Sequence, residues 1–532
     1  MTGQRLSNTR RRTVLKATGS AATLVGLGAT GTALANDSDD TTETTMEELR
    51  AFWVDGFNEG IYNEDEVADL VAAAAESNHN AIIAQVVRRG DCFCNDALPP
   101  RTDAPIADDF DPLESLVATA HEADLEVHAW MNVNTMWNQA EPPEADDHPF
   151  NTHGPGTEDP WHSIREDGEE HFADNYFFDP GHPGVADYLV DSACSLVDNY
   201  DIDGVNLDYV RYPDHNLEIG SSSWGYNETA LERFQNETGR DDVPDADDEE
   251  WSQWRRDQVT NLVRRIYLET AELDPEICLS ANTITYGFGP EQQGGWESSR
   301  TYAEVLQDWR AWMEEGIIDL NVPMNYKRDW DDDQADMYRQ WNEFIADHQY
   351  DRHAVVGSAI YLNDVSDTVD QIRAALAETD AGNRTVGWVG YSYATPDLKT
   401  FEGERGADES RDALADAVTA DSPDGEAPVF AESASVPERT WKTRPETGHV
   451  GGTVSVRDGD PVTGLEVTVK QRNETVATTT TTGNGWFGVV DLSPGRYRVE
   501  LPASETRGRR VKHVTVDAGA VADLEFTLQG TA

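Results

Sequence analysis

The run DGVNLDYVRYP, Asp203–Pro213, delivers a carboxylate, Asp208, to the end of a short apolar stretch and follows it with Tyr209, Arg211 and Tyr212. Strand residues alternate between two faces. If Val205 and Leu207 face outward, Asn206 and Asp208 share the inner face, and Asp208, the last of them, emerges where the strand ends. Arg211 can hold such a carboxylate ionised, and Tyr212 or Tyr209 can bond it and shape a cleft. This makes Asp208 a candidate nucleophile or base. Cleavage of a glycosidic bond needs two carboxyl groups flanking it. Asp91 is the favoured second one, for its neighbour Arg89 and its place at a strand end, with Asp329 and Asp55 as alternatives. Asp179, in an Asp-Pro pair ahead of a helical pattern, reads as a helix cap.

Other strand ends are similarly loaded: Trp53 in FWVDG, Gln85 and Arg89 in QVVRRGDCF, and Trp130 and Asn132 in HAWMNVNTMW. Asn325 and Tyr326 follow in PMNYKRDW, and Tyr391 in GYSYATP. Flat aromatic faces among amide, guanidinium and carboxyl groups suit a sugar, which offers apolar ring faces and a rim of hydroxyls. These residues are therefore candidate substrate contacts. No cofactor is expected, and no metal site, since the first strand offers no His-x-His pair.

Those ends belong to a regular alternation between Leu49 and about Thr395. Eight apolar runs (RAFWV, NAIIAQV, LEVHAWM, DGVNL, ICLSA, IIDLNVPM, HAVVGSAI and TVGWVGYS) are separated by amphipathic segments with apolar residues three and four apart. Asn63 stands as a cap before one of them. Eight such units predict a (β/α)8 barrel over residues 47–400, with its active site at the C-terminal ends of the strands. A doubly wound open sheet is the runner-up, but the first strand is not followed by a Gly-rich phosphate turn. The insertion Asn138–Phe178 after the third strand should decorate the mouth. Residues 401–446 read as a last helix and acidic linker. Residues 447–532 alternate with period two between Gly-rich turns and predict a small β-sandwich.

The chain of 532 residues carries 101 Asp and Glu against 40 Lys and Arg, a net charge of −61. Only six of the basic residues are lysines, and the acids run through every segment. With 38% hydrophobic content and 15 Trp, this is a folded protein with a carboxylate-covered surface. Such a surface suits concentrated salt, where self-repulsion is screened, so a halophilic source is expected. Nucleic acid and anionic membranes are improbable partners. The N-terminus carries Arg11-Arg12 with Lys16, then an uncharged Gly/Ala/Thr-rich segment ending in ALA at Ala33–Ala35. That is the pattern of a twin-arginine export signal over residues 1–35, with 36–46 as an acidic spacer. It predicts an extracellular or cell-surface protein without a membrane span in its mature form, a retained anchor being the alternative. Cys92 and Cys94 lie two apart, too close to bridge comfortably, while Cys194 and Cys278 read as buried thiols.

The stretches RAFWVDGFN, AQVVRRGDCFCNDALPPRTD, FFDPGHPGVADYL, YDIDGVNLDYVRYP and DLNVPMNY, in this order, resemble the glycosyl-hydrolase-like 10 family of exported (β/α)8 proteins. The resemblance implies hydrolysis of glycosidic bonds in a polysaccharide, bacterial relatives being linked to cell-wall glycan. GVNLD is also similar to the nucleophile strand of α-amylase-type barrels, with Asn206 where those carry Arg. The last 80 or so residues resemble a carboxypeptidase-regulatory-like sandwich, an accessory module. The expectation is an exported glycoside hydrolase acting on an envelope or extracellular glycan. A non-catalytic carbohydrate-binding barrel serving as a surface glycan receptor is the alternative.

Overall fold

The computed structural model describes residues 46–421, 425–503 and 506–531. The export signal and all but the last residue of the spacer lie outside them.

All eight expected strands form: β1 (Leu49–Val54), β2 (Ala81–Val87), β3 (Glu126–Asn132), β4 (Gly204–Asp208), β5 (Cys278–Ile284), β6 (Leu320–Met324), β7 (Val356–Ala359) and β8 (Gly387–Tyr391). Each pairs in parallel with the next, and β8 pairs with β1 along Leu49↔Gly387 to Trp53↔Tyr391, closing the barrel. That closure excludes the open doubly wound sheet. The strands are mostly apolar because both of their faces are buried. Leu49, Ala51, Trp53, Ile83, Trp130, Val322 and Val389 fill the inside, whereas Phe52, Val54, Ile82, Val205 and Leu207 pack against the helices. In β4, Val205 and Leu207 thus leave Asn206 and Asp208 to the interior, as the alternation requires.

The helices begin where short polar side chains occupy the orphan amides of their first turn. Asn63 accepts from Glu66 N ahead of α1 (Glu64–Glu76), and Asp111 caps α2 (Pro112–Glu122). For α3 (Pro183–Asn199) the cap is His182, not Asp179. Asp179 instead sits fully buried, accepting from Gly181 N at 2.9 Å and from the Tyr212 hydroxyl at 3.3 Å. Cys92 and Cys94 form a disulfide despite their spacing. The loop after β2 folds back on itself, with Phe93 N donating to Val86 O, and leaves their Cα atoms 5.2 Å apart, within disulfide reach. Cys278 is buried, its thiol pushed up to about 12 by that burial, whereas Cys194 is only half-buried.

The C-terminal region contains two four-stranded sheets. One has the order β12 (Trp486–Leu492), β9 (Gly448–Val456), β16 (Val521–Thr531), β14 (Thr506–Gly508). The other has β11 (Glu474–Thr480), β10 (Glu466–Gln471), β13 (Gly495–Glu500), β15 (Val511–Val516). Their inner faces make a separate apolar core around Val450, Val467, Phe487 and Phe526. The sandwich packs on α4 (Glu249–Leu273), where a Cβ at Gly488 would come within 2.6 Å of Leu268. Arg352 pairs with Asp491 across this contact at 3.0 Å.

The connecting segment closes the barrel's N-terminal end. Val436 joins the interior cluster, Arg439 pairs with Glu126 at 3.1 Å, and Lys442 pairs with the fully buried Asp319 at 3.2 Å. Asp319 also accepts from the Trp441 indole at 2.6 Å and from Leu279 N at 2.8 Å. Among the described residues no helix is long and apolar enough to cross a membrane. Removing one partner of a buried ion pair costs about 3 kcal/mol or more. Lys442→Met should therefore destabilise the protein by about that amount in thermal or denaturant unfolding. The loss should be nearly the same in low and molar salt, since a buried pair is poorly screened; a variant as stable as wild type would contradict this.

Candidate active site

At the opposite end the strand termini surround a cavity of about 460 Å³. Its centre is the turn after β4. Tyr209 adopts a left-handed conformation, φ 49°, which bulky residues rarely take, so the chain reverses immediately after Asp208. The reversal lets the Tyr209 amide donate to Asp208 Oδ1 at 2.6 Å and sets the Arg211 guanidinium 4.2 Å from the Tyr209 ring centre. Arg211 Nη1 lies 3.8 Å from Asp208 Oδ1. Six residues after Asp208, Asp214 accepts a hydrogen bond from the Tyr286 hydroxyl, which projects from the loop after β5.

The two carboxyls are driven apart electrostatically. Burial raises Asp208 above the ordinary carboxylate range, and this outweighs Arg211, the Tyr209 amide, Asn282 and Trp130, which favour the anion. Burial would raise Asp214 too, but Arg211 and the Tyr286 hydroxyl hold it below its ordinary value. Arg211 faces both acids, and the nearby Tyr286, Asp214, Tyr209 and Asp208 more than offset the cost of its burial.

The walls are held by bonds that fix each polar group. Gln85 accepts from Gly56 N at 2.9 Å, and the Trp130 indole donates to Asn132, whose amide donates to the Arg88 carbonyl at 2.8 Å. Asp55 Oδ1 accepts from Phe57 N and Asn58 Nδ2, while its buried Oδ2 has no hydrogen-bond partner among the described residues. Tyr326 and Tyr391 stack at 5.6 Å, and both meet the edge of Trp53 beneath them. The insertion after β3 reaches the mouth as expected, through Asn138, Asn175 and Phe177.

Of the residues singled out from the sequence, the cavity brings together Asp208, Tyr209, Gln85, Trp130, Asn132 and Arg211, and with them Tyr326, Tyr391 and the alternative acid Asp55. The others do not line it. Asp91 is consumed by Arg88 at 3.0 Å, the Thr102 hydroxyl at 2.8 Å and Arg89 at 3.6 Å. Arg89 bonds Asp103 and Asn138 and lies against Trp137, so this pair is a buried structural cluster. Asn206, inside the barrel, bonds Ser280, and Trp53 fills the space under the tyrosines. Tyr212 turns away from the cavity to Asp179. Asn325, one residue past the end of β6, faces outward to the Tyr338 carbonyl and Asn342. Asp329 is half-buried on the loop beyond.

Asp214, Tyr286 and Lys327 line the cavity without having been singled out. Asp214 follows directly on the YP of the loop that drew attention to Asp208, so its place was available as a signal. Tyr286 stands in the TYGFG that follows β5, a stretch with no acid to mark it. Among the described residues no group of three or more His, Cys, Asp or Glu could hold a metal ion.

A family model described as Glycosyl hydrolase-like 10 matches residues 48–367, and one described as Carboxypeptidase regulatory-like domain matches residues 449–529. Glycosyl hydrolase YngK of Bacillus subtilis is 25% identical over 309 residues, 52% of this chain and 54% of its own. Glycosyl hydrolase DigH of Escherichia coli K12 is 25% identical over 232 residues, 41% of this chain and 46% of its own. The chain thus spans about half the length of the curated relatives it matches. Among solved structures, the PgaB (BpsB) glycoside hydrolase domain of Bordetella bronchiseptica aligns with a TM-score of 0.47 at 14% identity, covering 69% of this chain and 99% of that one.

The raised Asp208 has a stability consequence. From the ordinary value of 3.8 up to its raised folded value, the folded protein holds a proton that the unfolded chain has released. This contribution is complete below 3.8 and lost as the pH rises through the folded value. Asp208→Asn should therefore be more stable than wild type at pH 7, with the gain shrinking toward pH 3. Thermal unfolding across that range checks it, and a variant less stable at pH 7 would refute it.

Proposed function

The chain belongs to the glycosyl hydrolase-like 10 family, and from that premise we propose that it is a glycoside hydrolase, with Asp208 as proton donor and Asp214 as its ionised partner. The observation that carries this is the opposed titration of two carboxyls in one cavity, facing a shared Arg211. Glycosidases need one acid protonated and one ionised at the same pH, and environments that push two carboxyls apart supply that. Asp208, kept protonated by burial, gives its proton to the glycosidic oxygen as the bond breaks. Asp214, kept ionised by Arg211 and Tyr286, activates water or attacks the anomeric carbon. The stacked Tyr326 and Tyr391 with Trp130 offer flat faces to a sugar ring, and Gln85 and Asn132 offer amides to its hydroxyls. This assigns Asp208 the acid role rather than that of base or nucleophile, and passes the partner's role from Asp91 to Asp214.

The substrate in this reading is a polysaccharide outside the cell or in its envelope, and the protein is exported through its Arg11-Arg12 signal into a saline medium. The family membership supports the glycan, and the N-terminal sequence and the net charge of −61 support the setting.

The test is release of reducing ends from a panel of polysaccharides, including envelope glycans of the source organism, assayed in molar salt. Asp208→Asn and Asp214→Asn should each lose about a hundredfold or more in kcat/KM, with binding retained. The wild-type pH profile should be bell-shaped, with an acid limb below the ordinary carboxylate range from Asp214 and an alkaline limb above it from Asp208. Full activity in either variant would remove that residue from the mechanism. Saturable binding without cleavage by the wild type would favour the glycan receptor.

A further inference from the structure

One cation in the cavity has no acid to answer it. Lys327 is one of six lysines in the chain, is 7% exposed, and lies in the loop after β6 against the cavity wall. Its place is over-determined. The Lys327 carbonyl accepts from Asn363 at 2.9 Å and from Gln371 at 3.0 Å, both from fully buried side chains. Its ammonium donates one hydrogen bond, at 2.8 Å, to the Thr285 carbonyl, and the Thr285 hydroxyl is itself tied to the Met324 carbonyl at 2.9 Å. An ammonium has three N–H donors, so two remain without a protein acceptor among the described residues.

Among those residues no carboxylate lies within ion-pair distance of Nζ. Burial alone accounts for the lowering of its pKa to about 8, which leaves it mostly charged at neutral pH. Arg255 and Arg256 are also buried without an ion pair among the described residues, but the Arg255 guanidinium is met by the carbonyls of Ser222, Trp224 and Ala246, and that of Arg256 by Gln253 and the Tyr302 carbonyl. The buried Lys442 is paired with Asp319, and Arg211, the other cation of the cavity, faces Asp208 and Asp214. An ammonium buried without a counter-charge costs free energy that an amide such as Gln85 or Asn132 does not, although an amide would bind a sugar hydroxyl equally well. A lysine at this point is accounted for when the missing counter-charge arrives with the ligand.

We propose that Lys327 is an anion-binding residue of the cavity and reads a carboxylate or sulfate ester carried by the glycan. The inference rests on the glycan reading of the site but not on its chemistry, because it concerns binding. It makes the substrate class an acidic polysaccharide, one bearing uronic acid or sulfated sugars. Such a chain approaching an acidic protein is admitted where salt screens the surface, while the buried ammonium, poorly screened, retains its attraction.

The test pairs acidic glycans with their neutralised forms. Oligogalacturonate, hyaluronan oligosaccharides and chondroitin sulfate oligosaccharides are each compared with carboxyl-reduced derivatives, and the last also with a desulfated one. Binding is followed by calorimetry and cleavage by reducing ends. Wild type should bind at least one acidic form tenfold or more tightly than its neutralised counterpart, and Lys327→Met should bind the two alike at the weaker level. Loss on carboxyl reduction alone identifies a carboxylate, and loss on desulfation alone identifies a sulfate. Lys327→Met keeps the side-chain bulk and removes an uncompensated charge, so its melting temperature should equal or exceed that of wild type, which certifies the fold. Equal binding of acidic and neutral forms by wild type, or a preference that survives in Lys327→Met, overturns the proposal. Charge-dependent binding without cleavage of any probe would sustain it while counting against the hydrolase.

Discussion

Everything in this molecule depends on closing eight parallel strands around a filled interior, and closure rests on how near β8 can come to β1. At Gly387 a Cβ would fall 1.9 Å from the Leu49 carbonyl oxygen, so any side chain there would force the last strand off the first. The interior obeys a second exclusion. Trp53 extends across the barrel into space that only a glycine at 357 leaves free, since a Cβ there would lie 2.3 Å from the indole. With the bore plugged at that level, Tyr326 and Tyr391 rest on Trp53 and form a floor. The cavity is what remains above a packed core.

Given that floor, the two-residue period of a strand decides which groups reach the cavity. Asp208 reaches the mouth because it is the last inward residue of β4, and it is raised because the same packing removes water from it. Tyr209 then pays with an unfavourable φ for a turn that brings its amide and Arg211 onto the carboxylate. Residues one step out of phase, however polar, are diverted to structural work. Asn325 follows Met324 of the floor by a single position and bonds the neighbouring helix instead.

This explains what was legible in the sequence and what was not. The barrel could be read because eight doubly buried strands must be written as apolar runs, and amphipathic helices must separate them. Asp208 could be read because its strand phase and its loop were both local. Asp91 was expected at the cavity and lies outside it, because Arg89 beside it reads equally as activation or as burial, and only Arg88, Thr102 and the fold of the disulfide loop show which way it turns. Asp214, Tyr286 and Lys327 depend on where three separate loops settle relative to one another, and no periodicity encodes that. The Cys92–Cys94 bridge belongs to the same class, since sequence spacing says nothing of a loop's path.

The two ends of the barrel also treat buried charge in opposite ways. At the N-terminal end the connecting segment brings Arg439 to Glu126 and Lys442 to Asp319, and the Trp441 indole adds a further bond to Asp319, so its charges are answered from within the chain. At the C-terminal end Asp55 Oδ2 lacks a hydrogen-bond partner among the described residues, Arg211 makes none there through Nε or Nη1, and the Lys327 ammonium makes one. These three residues line one cavity, to which the sandwich contributes nothing, although buried polar atoms without a partner among the described residues also occur away from it, as at Asp91 Oδ1, Asp179 Oδ2 and Arg352 Nε. Leaving them short is a cost to stability that a ligand supplying donors and acceptors would offset. The sandwich, docked along α4, contributes no residue to that cavity.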